Sequence, residues 1–299
     1  MEYKKPPLSV TDQLFLLKSR GLCIADQSRA EHYLSNISYY RLRAYMVPFQ
    51  VVDDHNHKFT PGITFDHVLD LYVFDRELRL LVFDAIERIE VALRTQIIHQ
   101  FALSYGSHWY ENPNVYRNNY YYSRNLSKLD EEMMRSNEVF IKHYKDKYTN
   151  PKRPPAWMSL EVTTMGLLSK IFQSLKNTAE KKAVARHFQV GHPKVIESWM
   201  HSISYVRNIC AHHSRLWNRT LTIRPMLPNV TLQPWLRKES DVLGEKLYAL
   251  LCCIYYLLKV VNPTTSFKYN LQDLIGRYPE IEIVRMGFTV DWLSEPLWM

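Results

Sequence analysis

The longest segment of the chain without proline or glycine, residues 64–105, reads TFDHVLDLYVFDRELRLLVFDAIERIEVALRTQIIHQFALSY. Its apolar residues recur every three or four positions, as they do on the buried face of an α-helix. These residues are Leu71, Phe74, Leu78, Leu81, Ala85, Ile89 and Ala92. Charged residues occupy the other face, including Asp75, Arg76, Glu77, Arg79, Glu87, Arg88, Glu90 and Arg94. The pattern predicts one or two long amphipathic helices that end at Gly106.

The segments on either side also show helical patterns. Thr11 is suited to capping a helix start, Gly21 is suited to ending a helix, and Pro193 fits a first helical position. Predicted helices cover residues 11–21, 26–37, 127–148, 159–176, 178–188, 193–214 and 241–261, with a short one from residue 39. Residues 51–62 have turn chemistry and predict a loop or a small hairpin. The sequence therefore predicts an all-α fold.

Pro151, Pro154 and Pro155 form the clearest break in the chain. We expect an N-terminal helical segment at residues 1–62, a long-helix region at 63–150 and a C-terminal helical region at 151–299. As an alternative, residues 63–299 form a single domain.

Composition narrows the function. Only 8 glycines occur in 299 residues and no glycine-rich phosphate loop is present, which disfavours a nucleotide-binding fold. The net charge of +8 fits a polyanionic partner such as nucleic acid, and it fits equally well a mildly basic solvated surface. The 4 cysteines form no C-x-x-C pair, so no zinc site or cofactor is indicated. With neither a signal core nor an apolar run long enough to span a bilayer, we expect a cytoplasmic protein without membrane contact.

The chemistry is concentrated in residues 205–219, YVRNICAHHSRLWNR. A histidine can transfer protons to and from RNA oxygens near neutral pH, and an arginine can neutralise the charge that develops on the phosphorus. The spacing alone is weak, because Arg94 and His99 share it. Asn208 and His212, four residues apart, lie on one helix face, so the Asn208 amide can orient the His212 ring. We favour a site built from Arg207 and His212 at a two-fold interface.

Several strings of the sequence occur together in one known family. They are residues 13–14 (QL) with 19–22 (SRGL), 39–42 (YYRL), 72–79 (YVFDRELR), 86–94 (IERIEVALR), 155–157 (PAW) with 166–169 (GLLS), and the string 207–219. In combination, over residues 6 to about 260, the sequence resembles the Abi-like abortive-infection proteins of the AbiD and AbiF type. That family is similar to HEPN domains, helical bundles that act as dimeric, metal-independent RNases.

The resemblance implies an HEPN-like helical bundle with additional N-terminal helices and a role in antiphage defence. It implies that Arg207 and His212 form the catalytic motif, with Asn208 in the polar position that follows the arginine. His213 satisfies the looser spacing of the motif and is the alternative catalytic histidine. The expected activity is endonucleolytic cleavage of RNA by a homodimer, without a metal or another cofactor.

Further arginines are candidate RNA contacts: Arg215 and Arg219 in the motif, Arg41 and Arg43 beside Tyr39 and Tyr40, and Arg94 on the long helix. For the tyrosines a place in the core is the favoured interpretation. For Glu87 and Glu90 salt bridges are favoured over paired catalytic carboxylates, and for His55 and His57 a solvated loop is favoured over a metal site.

Two other functions stay open. One is a non-catalytic protein that holds a structured small RNA in a defence or toxin–antitoxin complex. The other is a structural interaction protein without an RNA role, which would not show the steep salt dependence of a phosphate binder.

Overall fold

The structure is a computed structural model that describes residue 2 and residues 6–229, 231–237 and 241–299. It is 62% helical, and in those ranges only isolated bridges, with no β-strands, join extended residues. The predicted all-α fold class is therefore confirmed. One antiparallel bridge, between Gln50 and Phe59, closes residues 51–58 of the predicted loop or small hairpin. No helix in the described ranges is long and apolar enough to cross a membrane.

Twelve α-helices follow one another along the described chain. They are α1 (Val10–Ser19), α2 (Gln27–Ile37), α3 (Tyr39–Met46), α4 (Phe65–Tyr105), α5 (Asn119–Arg135), α6 (Val139–Lys147), α7 (Ala156–Ser159), α8 (Met165–Ser174), α9 (Ala179–His187), α10 (Pro193–Ala211), α11 (Leu247–Val261) and α12 (Phe267–Arg277).

The helix ends test the predicted boundaries. Helices α2 and α9 begin and end within about one residue of the prediction. Helix α1 begins earlier than predicted because the Ser9 hydroxyl, not Thr11, accepts a hydrogen bond from Asp12 N. The single helix predicted over residues 127–148 is wrong. Helix α5 begins at Asn119, where the Asn118 side chain caps Tyr121 N, and it ends before the separate helix α6.

Three other helices are shorter than predicted. Helix α8 starts at Met165 under a Thr164 cap, α10 ends at Ala211, and α11 starts at Leu247. In each case capping or turn geometry ends the helix inside an apolar pattern that continues beyond it, so periodicity alone overestimates the length.

Helix α4 is one continuous helix of 41 residues. Leu71, Phe74, Leu78, Ala85 and Ile89 are at most 2% exposed, which confirms most of the predicted buried face. Leu81 and Ala92 are only half-buried, and the neighbouring Val82 and Leu93 are buried instead. The opposite face is not uniformly solvated as predicted. Asp75, Arg79 and Arg94 are only 0%, 6% and 8% exposed, because neighbouring elements cover that face as well.

The chain divides into two compact units. Unit 1 comprises residues 1–78 and 274–281, and unit 2 comprises residues 79–273 and 282–299. The divisions fall within α4 and at the end of α12, and none coincides with Pro151 to Pro155.

Unit 1 contains α1 to α3 and the first part of α4. Its apolar core includes Leu17, Leu42 and Phe74. The buried Asp75 carboxylate accepts a 2.6 Å hydrogen bond from the Tyr45 hydroxyl, which satisfies part of the charge that burial leaves without water.

Unit 2 is organised around α8 and α10, which pack against each other, with α5 on α8 and α11 on α10. Helix α11 is buried from Leu247 to Leu258, as a central core helix is. Beside it, the rings of Trp199, Trp235 and Tyr256 lie 5.4–5.7 Å apart. Packing in the core therefore fixes the position of α10, including its last turn.

A buried lysine lies in the core of unit 2. Lys181 is fully buried, and its Nζ contacts Glu197 Oε1 at 2.7 Å and Leu175 O at 2.9 Å. Glu197 also accepts hydrogen bonds from Arg117, so two cations share one carboxylate. Burial lowers the pKa of the Lys181 ammonium from 10.5 to about 8, although the Glu197 carboxylate opposes the shift.

This shift predicts a pH-dependent stability. Between the folded pKa of about 8 and the unfolded value of 10.5, the unfolded chain holds a proton that the folded chain has released, so raising the pH favours folding. Relative to Lys181→Met, we expect the free energy of unfolding of the natural chain to rise by about 2 kcal/mol from about pH 7 to pH 10. Urea denaturation of both proteins at each pH measures this difference.

The exposed neighbour Lys182 supplies the control. Lys182→Met should follow the natural chain at every pH, since the tyrosines and cysteines that titrate in this range are common to all three proteins. A difference between Lys181→Met and the natural chain that does not change with pH would contradict the prediction.

Candidate functional site

The segment 205–219 begins inside α10 and leaves it through a tight turn. Helix α10 starts at Pro193, after the His192 ring accepts a hydrogen bond from Lys194 N, and ends at Ala211. His213 N donates to Cys210 O, and Ser214 N donates to Ile209 O, each at 3.0 Å. This pair of bonds is a Schellman cap, which satisfies carbonyls that the helix end leaves without partners.

His212 and His213 form the turn itself. His212 is the C-cap residue, and His213 takes a left-handed conformation with φ 54°. That conformation is uncommon for residues other than glycine, although histidine adopts it more often than most. Both histidines are exposed. The predicted helix over both residues is therefore corrected to a helix end that presents two neighbouring imidazoles to solvent.

Arg207 lies one turn earlier on α10. Its guanidinium stands over the Phe83 ring, 5.6 Å from the ring centre, and its Nε lies 3.8 Å from Glu90 Oε2. The side chain is 37% exposed. Because 3.8 Å is too long for a hydrogen bond, the contact orients the guanidinium electrostatically and leaves its N–H donors available to a phosphate oxygen.

Glu90 is itself held by Arg94. Arg94 Nη2 donates to Glu90 Oε1 at 2.8 Å and to Thr163 O at 2.9 Å, and Nη1 donates to Glu161 O at 3.1 Å. This confirms the predicted Glu90–Arg94 salt bridge. These contacts enclose most of the Arg94 guanidinium and fix Glu90 beside it. An RNA contact of Arg94 stays a prediction.

Asn208 is exposed beside Arg207. The bond that joins it to His212 runs through the main chain, from His212 N to Asn208 O at 3.0 Å. The side-chain hydrogen bond expected between the Asn208 amide and the His212 ring stays a prediction.

Arg215 and Arg219 follow the turn. Both are partly exposed, and Arg219 Nη1 donates to Arg215 O at 2.9 Å. Between them, Leu216 and Trp217 are 0% and 2% exposed. The buried pair fixes this loop to unit 2, so both arginines keep a defined position after the two histidines.

Arg41 and Arg43 belong to unit 1. Arg41 is exposed, and Arg43 Nη2 lies 3.3 Å from His57 Nε2. The core position favoured for the neighbouring Tyr40 is wrong, because its side chain is 84% exposed. Among the described residues, no group of three or more His, Cys, Asp or Glu side chains is arranged to hold a metal ion.

Two residues that the sequence did not place at the site are Phe83 and Glu90. Glu90 was identified only as a partner of Arg94, because the i,i+4 rule sees pairs on one helix. Its contact with Arg207 joins α4 to α10 across 117 positions of the sequence, and local spacing carries no signal for such a contact.

The last turns of α10 and the turn that follows carry two kinds of chemical group. The exposed imidazoles of His212 and His213 are groups that can donate and accept protons. An oriented guanidinium can bind two oxygens of one phosphate. Together these are the groups that phosphodiester cleavage without a bound metal requires.

Comparison with curated proteins and with solved structures finds no significant match. A protein-family model described as Abi-like protein matches residues 32–218, more than half of the chain. This range is shorter than the residues 6–260 over which the resemblance is expected, yet it contains Arg94, Arg207 and both histidines of the turn. The expected family is thereby confirmed. The chain belongs to the Abi-like protein family.

Proposed function

We propose that this protein is a metal-independent RNA endonuclease of the HEPN type that acts in bacterial abortive-infection defence. One observation carries the proposal. The end of α10 presents His212 and His213 to solvent one turn from Arg207, whose guanidinium is oriented by Glu90 and Phe83. Membership of the Abi-like family supports the defence role.

The reaction is an internal transfer at phosphorus. One imidazole removes the proton of an RNA 2′-hydroxyl, whose oxygen attacks the adjacent phosphorus. The bond to the 5′-oxygen breaks, and that oxygen takes a proton from a second imidazole, now acting as an acid. The products are a 2′,3′-cyclic phosphate and a 5′-hydroxyl, and the reaction consumes no water.

Arg207 has a separate task in this scheme. Charge accumulates on the phosphorus oxygens in the transition state, and a guanidinium positioned in advance stabilises that charge without reorganising. The Glu90 carboxylate keeps the Arg207 guanidinium close by electrostatic attraction. The same carboxylate also pairs with Arg94. In this proposal Arg215 and Arg219 hold neighbouring phosphates, with Arg41 and Arg43 as further RNA contacts on unit 1.

A homodimer completes the proposed site. His212 and His213 are adjacent in sequence and their rings leave the chain from different backbone conformations, so one of them is better placed than the other to face a given phosphate. A second copy related by a two-fold axis brings the equivalent histidine to the opposite side of the RNA phosphate, which supplies both a base and an acid.

The first prediction separates cleavage from binding. In excess EDTA, we expect the natural chain to cut cellular RNA and His212→Ala to lose about 100-fold or more of the rate, since proton transfer contributes that much. His212→Ala should still bind RNA. Mapping the new ends measures cyclic phosphates, and a gel-shift titration measures binding.

Two histidine variants serve as comparisons. His201→Ala removes an exposed histidine from the same helix and should cleave as the natural chain does. His213→Ala identifies which imidazole is catalytic, because the larger loss marks the group that transfers the proton. If no protein cuts RNA but all retain a bound RNA, the non-catalytic function in a defence or toxin–antitoxin complex replaces the nuclease.

The second prediction concerns the guanidinium. Arg207→Lys keeps the positive charge but loses the planar pair of donors, so we expect kcat to fall by about 100-fold while KM changes by less than about threefold. Single-turnover cleavage of a labelled RNA measures both quantities. Equal activity of Arg207→Lys and the natural chain would show that only charge matters at this position.

A further inference from the structure

A second charged surface lies on unit 2, between the first turns of α5 and the start of α8. We call it the α5–α8 cleft. Five side chains carry the argument: the cations Arg124, Lys128 and Lys170, which line the cleft, and Tyr120 and Tyr121, which precede them on α5. The cleft itself has a volume of about 220 Å³ and is lined by Arg124, Lys128 and Lys170 together with Glu132, Thr164 and Gly166.

We propose that the α5–α8 cleft binds the backbone of single-stranded RNA and that Tyr120 and Tyr121 stack on its bases. The inference rests on the proposed function and names the surface by which the enzyme holds its substrate. None of these five residues belongs to the segment that carries the catalytic chemistry.

Charge is the first argument. Three cations and one carboxylate, Glu132, line the cleft. Lys128 pairs with Glu131 at 2.8 Å, but both side chains are exposed, and such surface pairs contribute little. In the described part of the chain, Arg124 and Lys170 have no ion-pair partner. The surplus of positive charge at the cleft is therefore not neutralised internally.

The start of α8 adds to this surplus. The Thr164 hydroxyl caps Leu167 N, and the N–H groups of the first helical turn point out of the helix end. The helix start carries a partial positive charge, which favours an anion beside it. Here it reinforces side chains that already attract phosphate.

The exposed aromatic rings are the second argument. Tyr120 is 67% and Tyr121 is 39% exposed, and their ring centres lie 5.5 Å apart. Arg124 follows Tyr120 by one helical turn and Lys128 follows by two, so the Tyr120 ring and these two cations share one face of α5, with Tyr121 beside it. Accessible rings next to cations are typical of surfaces that bind single-stranded nucleic acid.

Size indicates which part of the partner enters the cleft. Clefts that enclose a small-molecule ligand commonly measure about 300–1,000 Å³. At about 220 Å³, and with three cations at its walls, the α5–α8 cleft accommodates a phosphate of an extended chain better than an enclosed metabolite.

The cleft and the α10 motif are joined by one short segment. Thr163 O accepts the hydrogen bond from Arg94, and Thr164 and Gly166 line the cleft. A Cβ atom at Gly166 would lie 3.4 Å from Ser204 Oγ, so the start of α8 directly contacts α10 one turn before Arg207. This segment therefore connects the cleft to the helix that carries the motif.

The test uses the full-length chain and a fluorescein-labelled 2′-O-methyl oligouridylate of about 20 nucleotides, which cannot be cleaved because its nucleophile is blocked. For Arg124→Ala/Lys170→Ala we expect Kd to rise about tenfold at low salt. The slope of log Kd against log salt should fall by about 1.4, since each phosphate contact on a single strand contributes about 0.7. Fluorescence anisotropy across a salt series measures both.

The tyrosines should show the opposite signature. Tyr120→Ala should raise Kd about fivefold or more with an unchanged salt slope, because stacking involves no counterion release. Tyr120→Phe, which keeps the ring, should bind as the natural chain does. All substituted side chains are exposed, and thermal unfolding checks that each variant folds.

Matched controls come from outside the cleft. Lys182→Ala/Arg186→Ala removes two exposed cations from α9, and Tyr269→Ala removes a ring that is 68% exposed. If the cleft variants bind no more weakly than these controls, or the natural chain does not bind the probe, the cleft proposal is overturned. Cleavage of ordinary RNA in the same preparations tests the nuclease separately. Weakened binding in the cleft variants without cleavage by any protein would support the cleft and overturn the nuclease.

Discussion

The guanidinium of Arg94 joins α4 to the segment before α8, and through Glu90 it acts on Arg207 of α10. It binds Glu90 on its own helix, and it binds the carbonyls of Glu161 and Thr163 in the segment that leads into α8. At 8% exposure it has lost most of its hydration, and leaving such a charge without its partner costs about 3–5 kcal/mol. This cost keeps the Glu90 carboxylate paired with Arg94. A stationary Glu90 in turn gives Arg207, 3.8 Å away, a fixed counter-charge at the surface.

Periodicity was sufficient for the fold class and for most helices, because burial of one helix face is a local property of the sequence. It failed where a second surface covers the other face. Asp75 and Arg94 look like solvent-facing charges on α4, yet a tyrosine hydroxyl and two carbonyl groups, all distant in sequence, replace their water. It failed again at residues 119–135, where Asn118 starts a helix among tyrosines that suggest an irregular segment.

The candidate site divides in the same way. The sequence identified Arg207, His212 and His213 because their chemistry is recognisable in any conformation. It did not reveal that His213 leaves the helix in a left-handed conformation, since that depends on two main-chain bonds of a Schellman cap. Nor did it identify Glu90 and Phe83 as neighbours of Arg207. Residue types therefore predicted the reactive groups, while the residues that orient them required three-dimensional structure.

The start of α8 lies between the residues that position Glu90 and the α5–α8 cleft. Thr163 fixes Arg94, Thr164 and Gly166 line the α5–α8 cleft, and Gly166 packs on Ser204 of α10. A Cβ at position 166 would lie 3.4 Å from Ser204 Oγ, at the near limit of an ordinary van der Waals contact, so α8 and α10 pack closely here. Arg94 takes its main-chain acceptors from this same segment, so a displacement of the segment would also loosen Glu90. An RNA phosphate bound at the cleft would contact the segment that positions Glu90. A shift of that segment would, through Glu90, change the orientation of Arg207.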